Sequence, residues 1–204
     1  FIDDKNIQVD SVLKNQIFAK FSEELVKNFN VASSSNPVPV HGRYFYSERK
    51  PGEDQAVLYT KKGLNGNPEV IFNPNGTRKG NTVTIDYWNE SHTGNYIAYG
   101  VSEGGDEMAT IYVKNVAAAE VFSEKIVNCR FSSIRWLRDD SGFFYTRNPR
   151  PGAVPKNEQH LHTKVYLHML GKNPDDDVLI FGDGRPKDDM IGLGISPDGK
   201  YLEI

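Results

Sequence analysis

The hydrophobic pattern divides the chain into two unlike parts. Between residues 7 and 29, apolar side chains recur every three or four positions among Lys, Gln, Glu and Asn, which is the period of a helix with one apolar face. The apolar positions are Ile7, Val9, Leu13, Ile17, Phe18, Phe21, Leu25 and Phe29. This pattern predicts one amphipathic helix, or two helices in succession.

A linker is predicted after the helical part. The segment NVASSSNPVPV, residues 30–40, combines a serine cluster with two prolines, which interrupt helices and favour an extended chain. We therefore expect an N-terminal helical extension over residues 1–32 and a second unit over residues 38–204.

The second unit shows the pattern of a mostly antiparallel β protein. Short runs rich in Tyr, Phe, Val and Ile alternate with turns of Gly, Asn, Asp and Pro. Four such runs follow a glycine, and these glycines stand 52, 48 and 57 residues apart. They are Gly42, Gly94, Gly142 and Gly199. A second run follows the first three glycines at 17, 18 and 24 residues, marked by Tyr59, Tyr112 and Tyr166.

This period favours a β-propeller. Repeats of about fifty residues with about four strands are typical of propeller blades, because one blade cannot bury both of its faces and therefore stacks on its neighbours. The alternative is a β-sandwich, whose hairpins look similar but have no reason to keep such a period. We predict a mainly β fold: a partial β-propeller of about three blades and the start of a fourth, preceded by an amphipathic helix. Since closed propellers commonly need more blades, a larger protein is expected.

Composition and charge exclude some classes of partner. With 38% hydrophobic and 25% charged residues, the chain is typical of soluble globular proteins. A net charge of -3 and scattered basic residues argue against binding to nucleic acid. No apolar run approaches the roughly twenty residues of a membrane span, and the first residues lack a signal-peptide pattern. We expect a cytoplasmic protein with no membrane partner, and the single cysteine, Cys129, excludes an internal disulfide.

The residues that could carry chemistry predict no catalytic centre within the chain. The G-x-S-x-G motif of α/β-hydrolase nucleophiles is absent, and its nearest approach, GISPD at residues 194–198, has Asp198 in place of the second glycine. Ser196 is therefore predicted to be a turn serine that bonds nearby backbone. His160, His162 and His168 lack further ligands and are interpreted as a solvated loop, and residues 175–177, DDD, as a solvated turn. No metal or cofactor is expected.

The order of several motifs resembles the prolyl oligopeptidase family. They are GRYFY, GNYIAYGVSEGGDEMATIYV, RFSSIRWLRDDSGFFYTRNP, HTKVYLHMLG and SPDGKYL, after the amphipathic helix. The resemblance implies a serine peptidase that hydrolyses short peptides on the carboxyl side of proline. In this family a seven-bladed propeller caps an α/β-hydrolase domain, on which the N-terminal helical segment packs. Ser, Asp and His of the catalytic triad belong to the hydrolase domain, so the resemblance implies no catalytic residue in residues 1–204.

The same resemblance implies three substrate-binding residues. Phe131 and Met190 match residues that line an apolar pocket for the third residue before the cleaved bond. Glu107 stands where relatives have an aspartate that faces the amino-terminal side of the substrate, and Asp106 takes this role if the turn shifts by one residue. For Phe131 the alternative is an aromatic side chain of the core.

Two functions of different classes stay open at this point. The first is part of a peptidase, whose partners are short proline-containing peptides and the hydrolase domain of the same protein. The second is a non-enzymatic propeller that binds peptides or proteins through its loops. The N-terminal helix favours the first, since a scaffold needs no such extension.

Overall fold

Two helices precede a series of β-sheets. The structure, a computed structural model, describes residues 2–14, 16–76 and 82–204, so residues 1, 15 and 77–81 of the predicted units lie outside the described residues. The helices are α1 (Ile2–Leu13) and α2 (Gln16–Phe29), so the helical pattern forms two helices in succession. Neither contains a buried residue.

The end of α2 is tied to the β part by hydrogen bonds. Arg49 Nη2 donates to the carbonyl oxygen of Phe29 at 2.7 Å, and the backbone amide of Gly52 donates to Asn30 Oδ1 at 2.7 Å. These bonds hold the carbonyl end of the helix, which has no partner inside the helix itself.

The remaining chain forms fifteen strands in the described residues. They are β1 (Ser33–Ser34), β2 (Val38–Val40), β3 (Arg43–Arg49), β4 (Val57–Lys62), β5 (Glu69–Phe72), β6 (Val83–Glu90), β7 (Tyr96–Glu103), β8 (Thr110–Asn115), β9 (Glu120–Val121), β10 (Ile134–Trp136), β11 (Gly142–Arg147), β12 (Lys164–Met169), β13 (Val178–Phe181), β14 (Gly194–Ile195) and β15 (Leu202–Glu203). Two short 3-10 helices, Lys156–Glu158 and Pro174–Asp176, lie in the loops before β12 and β13. The fold is mainly β, as predicted.

Three antiparallel sheets repeat one strand order. Sheet 1 runs β1-β3-β4-β5, with β2 pairing beside β1 on the same strand β3; sheet 2 runs β6-β7-β8-β9 and sheet 3 runs β10-β11-β12-β13. The ribbon β14-β15 follows. Since β1 lies at residues 33–34, strand pairing begins inside the predicted linker, where Ser33 and Ser34 pair with Arg49 and Glu48.

The glycine repeat seen in the sequence falls at one hairpin of each sheet. Gly42 lies between β2 and β3, Gly94 between β6 and β7, and Gly199 between β14 and β15, with φ values of 81°, 70° and 72°. In sheet 3 this left-handed position is taken by Asp140, with φ 59°, while Gly142 is the first residue of β11. Asp tolerates this conformation better than most residues, so the turn does not need glycine there.

Hydrophobic side chains fill the space between consecutive sheets. Between sheets 1 and 2 they include Phe45, Leu58, Ile71, Ile97 and Tyr99. Between sheets 2 and 3 they include Ala98, Ile111, Val113, Trp136, Phe143 and Tyr145. Sheet 2 is therefore covered on both faces, which explains why β7 reads as a nearly continuous apolar run rather than an alternating one.

The first strands of successive sheets lie around one opening of about 240 Å³. It is bordered by Val40 of β2, Asn89 of β6, Arg135 of β10 and Ile195 of β14. Trp136 Nε1 donates to the carbonyl oxygen of Asn89 at 3.0 Å and joins two of these strands directly. The segments that enter the first strands consequently lie near one another, and two of them carry predicted site residues.

Candidate functional site

Phe131 and Met190 line the same cavity. Phe131 lies between β9 and β10 and Met190 between β13 and β14, so both belong to segments that enter the first strand of a sheet or ribbon. Their side chains are 63% and 98% exposed, and both border a cavity of about 300 Å³. The alternative of a core aromatic at Phe131 is wrong, because neither side chain packs inside a sheet.

The residues on either side of Phe131 are held in the interior, so that the side chain of Phe131 points outward. Cys129 on one side and Ser132 on the other are buried, and Ser132 Oγ donates to the carbonyl oxygen of Thr146 at 2.7 Å. Phe131 itself has φ 48°, a left-handed conformation that is rare for a bulky residue. Such strain persists where the surroundings determine it, and it often marks a functional position.

Arg130 connects Glu107 to Phe131. Its Nη2 atom donates to Glu107 Oε2 at 2.6 Å, and its guanidinium carbon lies 4.5 Å from the centre of the Phe131 ring. Glu107 is exposed and has φ 59°, in the turn between β7 and β8. The three residues therefore form one connected group. Arg130 and Phe131 line the cavity, and Arg130 forms an ion pair with the carboxylate of Glu107.

Asp106 stands apart from this group. Its Oδ1 atom accepts the backbone amide of Met108 at 2.9 Å, which closes the turn locally. Between the two acidic residues, Glu107 is the one with a contact to the cavity lining.

Lys187, which lines the cavity, belongs to a group of ion pairs centred on Glu158. Glu158 pairs with His162 Nε2 at 2.8 Å and accepts from Lys187 Nζ at 2.7 Å, and these two hydrogen bonds hold the pKa of Glu158 below its ordinary value. The backbone amide of His162 also donates to the carbonyl oxygen of Lys187 at 2.7 Å. The loop before β12 and the segment that carries Met190 are thereby held against each other.

Sequence reasoning missed several residues of this cavity. Arg130, His160, Lys187 and Asp188 all border it. For Arg130, Lys187 and Asp188 the one sequence signal is their position, since Arg130 precedes Phe131, and Lys187 and Asp188 precede Met190. The lining is therefore more charged than an apolar pocket would be.

The interpretation of His168 as part of a solvated loop is wrong. It lies in β12, fully buried, with Nδ1 2.8 Å from Asp177 Oδ1 and Nε2 3.9 Å from Glu124 Oε1. Asp177 also departs from the predicted solvated turn, because its side chain is 2% exposed and accepts the hydroxyl of Tyr145 at 2.7 Å. The reason is strand alternation: His168 stands opposite Phe143, on the face of sheet 3 that packs against sheet 2.

No nucleophilic centre is built around Ser196. Its hydroxyl donates to Asp198 Oδ1 at 2.7 Å and accepts the backbone amide of Tyr201 at 3.0 Å, as expected of a turn serine. Ser91 repeats this bond to the amide of Tyr96 at 3.2 Å. In the part of the chain that the structure describes, no group of His, Cys, Asp and Glu could hold a metal ion, and no helix is long and apolar enough to cross a membrane.

Sequence comparison gives the family. The profile described as "Prolyl oligopeptidase, N-terminal beta-propeller domain" matches residues 1–204. Prolyl endopeptidase of Elizabethkingia meningoseptica is 31% identical over an alignment of 189 residues, and the match covers 91% of this chain and 26% of that protein. Prolyl oligopeptidase A of Galerina marginata is 34% identical over an alignment of 188 residues, and the match covers 78% of this chain and 25% of that protein.

Solved structures show the same architecture. A chain from a structural and mechanistic study of two prolyl endopeptidases has a TM-score of 0.78 and 28% identity, over 88% of this chain and 27% of that one. Prolyl oligopeptidase B from Galerina marginata, bound to a 35mer hydrolysis and macrocyclization substrate, has a TM-score of 0.77 and 25% identity, over 95% of this chain and 29% of that one.

The family model identifies the chain as part of a β-propeller domain, with which the stacked antiparallel sheets are consistent. The chain belongs to the prolyl oligopeptidase family, in which it corresponds to the N-terminal β-propeller domain. It spans about a quarter of the length of the curated relatives that it matches.

Proposed function

We propose that this chain is the propeller part of a serine peptidase that hydrolyses short peptides on the carboxyl side of proline. The observation that carries the proposal is the shared cavity of Phe131 and Met190, two exposed apolar side chains in a chain whose full length matches the family. In this proposal the propeller limits access to the active site and lines the substrate chamber. The catalytic Ser, Asp and His belong to an α/β-hydrolase domain, which partners this domain in the same protein.

Sheets 1 to 3 are three blades and the ribbon β14-β15 begins a fourth, out of seven. Support comes from the repeated strand order and from the common opening on which the first strands converge. A blade that exposes one face needs another blade to cover it. The further blades lie in the same domain.

The helical extension over residues 1–32 packs with an amphipathic face on the hydrolase domain. The support is exposure: Ile7, Ile17 and Phe21 are 68%, 82% and 62% exposed. Burying such a side chain is worth roughly 1.5–3 kcal/mol, so a partner surface would stabilise the helices strongly.

Phe131 and Met190 bind the third residue before the cleaved bond, and Glu107 faces the amino-terminal side of the peptide. Leu161 and Ile191 add apolar surface to the lining, beside the charged side chains of Arg130 and Lys187. The protein acts in the cytoplasm, with which the free buried thiol of Cys129 is compatible.

The experiment is peptide hydrolysis by the natural protein that carries residues 1–204. Two chromogenic peptides are compared, both with proline before the chromophore, one with a bulky apolar third residue and one too short to have it. Phe131→Ala should lower kcat/KM for the longer peptide by about tenfold, through KM, and leave the shorter peptide unchanged.

Tyr201→Ala is the matched control, since Tyr201 is an aromatic residue, 74% exposed, outside the lining of the cavity. Equal losses for both peptides would remove Phe131 from the substrate site. Hydrolysis that a serine-directed phosphonate does not block, or no hydrolysis at all, would overturn the peptidase proposal and favour a binding scaffold.

A further inference from the structure

A second cavity is lined by basic side chains. Its volume is about 330 Å³, and Asn148 borders both cavities. Four basic residues line it, and no acidic residue does: Arg147, Arg150, His162 and Lys164. We call it the Arg147 cavity.

Three of the four basic side chains already form an ion pair with a carboxylate. Lys164 Nζ donates to Asp183 at 2.7 Å, His162 pairs with Glu158 at 2.8 Å, and Arg150 pairs with Asp175. These pairs are at the surface, where they contribute little to stability and exchange readily with solvent.

Arg147 differs from the other three. It is 8% exposed, yet in the described part of the chain no carboxylate pairs with its guanidinium, and its one hydrogen bond runs to the carbonyl oxygen of Pro174 at 3.4 Å. The buried carboxylate on the same face of sheet 3, Asp177, is occupied by His168 and Tyr145. A cation that is mostly buried is normally paired with an anion. No guanidinium nitrogen of Arg147 is among the fully buried atoms without a partner in the described residues, so its free N–H groups open onto the cavity that it lines.

Stacking fixes the orientation of the guanidinium. Its carbon lies 4.3 Å from the centre of the Tyr166 ring, so its flat face is occupied by the aromatic ring. The N–H groups at the edge stay available, and an arginine held in this way suits a carboxylate or phosphate that accepts two parallel hydrogen bonds.

We propose that the Arg147 cavity binds an oxyanion, a carboxylate or a phosphate group, through the edge of the Arg147 guanidinium, with Lys164 and Arg150 adding charge at its mouth. Such a group supplies the acceptors that the described residues do not. A free phosphate ion and the terminal carboxylate of a peptide share this chemistry, and the test distinguishes them.

The first measurement is calorimetric titration of the natural protein that carries residues 1–204 with sodium phosphate, against sodium chloride at equal ionic strength. We expect phosphate, but not chloride, to bind saturably. Arg147→Gln should weaken it by at least about tenfold, because charge-assisted bidentate bonds are among the strongest polar contacts. Lys164→Gln should weaken it by about threefold and tests the site independently if the first variant does not fold.

Arg138→Gln is the matched control. Arg138 is exposed and likewise donates to a proline carbonyl, that of Pro197 at 2.8 Å, but lies outside the cavity. Phosphate should bind this variant as it binds the unaltered chain. Equal heats with phosphate and chloride, or binding that survives both Arg147→Gln and Lys164→Gln, would overturn the proposal.

A second titration distinguishes a free phosphate ion from the terminal carboxylate of a peptide as the ligand. A short peptide with a free carboxylate is compared with the same peptide as its amide. Competition with phosphate by the acid but not by the amide would identify a peptide terminus as a ligand. Absence of competition, with phosphate still bound, would identify a free phosphate site.

Discussion

Tyr99 stands directly opposite Tyr112 in sheet 2, with ring centres 5.9 Å apart and ring planes 24° from parallel. The pair joins the second strand of the sheet to the third. Sheets 1 and 3 repeat it in the same register, with Tyr46 opposite Tyr59 and Tyr145 opposite Tyr166. Cross-strand aromatic pairs stabilise a sheet locally, so the tyrosine spacing in the sequence reports a structural repeat.

Stability at high pH should depend on Tyr99. Burial, with a smaller effect of Tyr112, raises the pKa of Tyr99 from 10.0 to about 12. The folded state therefore holds the proton more tightly than the unfolded state, and this stabilisation is complete below pH 10 and lost as the pH rises through 12. The unfolding free energy of the unaltered chain should fall between about pH 9 and about pH 11.5. In Tyr99→Phe this fall should be smaller by about 2 kcal/mol.

Urea unfolding monitored at the two pH values measures this effect. Tyr201→Phe, at a side chain 74% exposed, is the control and should lose stability as the unaltered chain does. An identical pH dependence in Tyr99→Phe and the unaltered chain would contradict the assignment.

Asp140 should be a strong point of attachment between sheets 2 and 3. Its side chain accepts the hydroxyl of Ser91 at 2.8 Å and both the amide, at 3.3 Å, and the hydroxyl of Thr93. Asp140→Ala leaves these groups without their acceptor and also places alanine at φ 59°, so it should lower the unfolding free energy by about 2–3 kcal/mol.

Asp139→Ala is the adjacent control for this prediction, since Asp139 is exposed and bonds only within its own turn, to Ser141. Its effect should be much smaller. Denaturant midpoints that shift equally in the two variants would show that the bonds to sheet 2 contribute little.

Gly100 should tolerate no side chain. A Cβ atom there would lie 2.3 Å from the ring of Tyr87, whose hydroxyl is fixed by a 2.6 Å bond to the carbonyl oxygen of Cys129. Gly100→Ala should therefore cost about 1–3 kcal/mol and lower the melting temperature by several degrees. Gly192→Ala, with open space around it, should melt as the unaltered chain does, and equal melting of both variants would contradict this packing.

Arg130 should set the charge that a bound peptide meets. Because the side chains of Arg130 and Glu107 are 32% and 50% exposed, their pairing contributes less than about 1 kcal/mol to stability. In the proposed site, Arg130→Met frees the carboxylate of Glu107. Peptides with a free amino terminus should then gain about threefold in affinity over their acetylated forms, measured by calorimetry. Arg138→Met, outside the cavity, should leave this ratio unchanged, and an unchanged ratio in both variants would exclude Glu107 from the contact.

The repeat was predictable from the sequence because local chemistry determines it. The turn at Gly94 needs a left-handed residue, and the strand after it needs aromatic and β-branched side chains, so both leave a periodic signal. The same holds for the serine turns at Ser91 and Ser196, whose hydroxyls bond an amide five residues later.

Long-range contacts left no such signal. Strand alternation buries His168, and its polar partners are Asp177 and Glu124. Glu124 lies far away along the chain, so the polar sequence around His168 suggested solvent instead. The pairing of Arg130 with Glu107 likewise depends on two left-handed residues in separate turns, Glu107 and Phe131. Periodicity describes neither arrangement, and sequence could indicate the cavity only through resemblance.

The position of sheet 2 between its two neighbours has a consequence for the order in which the molecule opens. Each sheet is stabilised mainly by the faces it shares with adjacent sheets, so local unfolding is coupled from neighbour to neighbour as in a one-dimensional array. Sheet 2 shares both faces, and β7 is hydrogen-bonded on both edges as well. Amide hydrogens of β7 should accordingly exchange with solvent last, after the terminal helices and the ribbon have already exchanged.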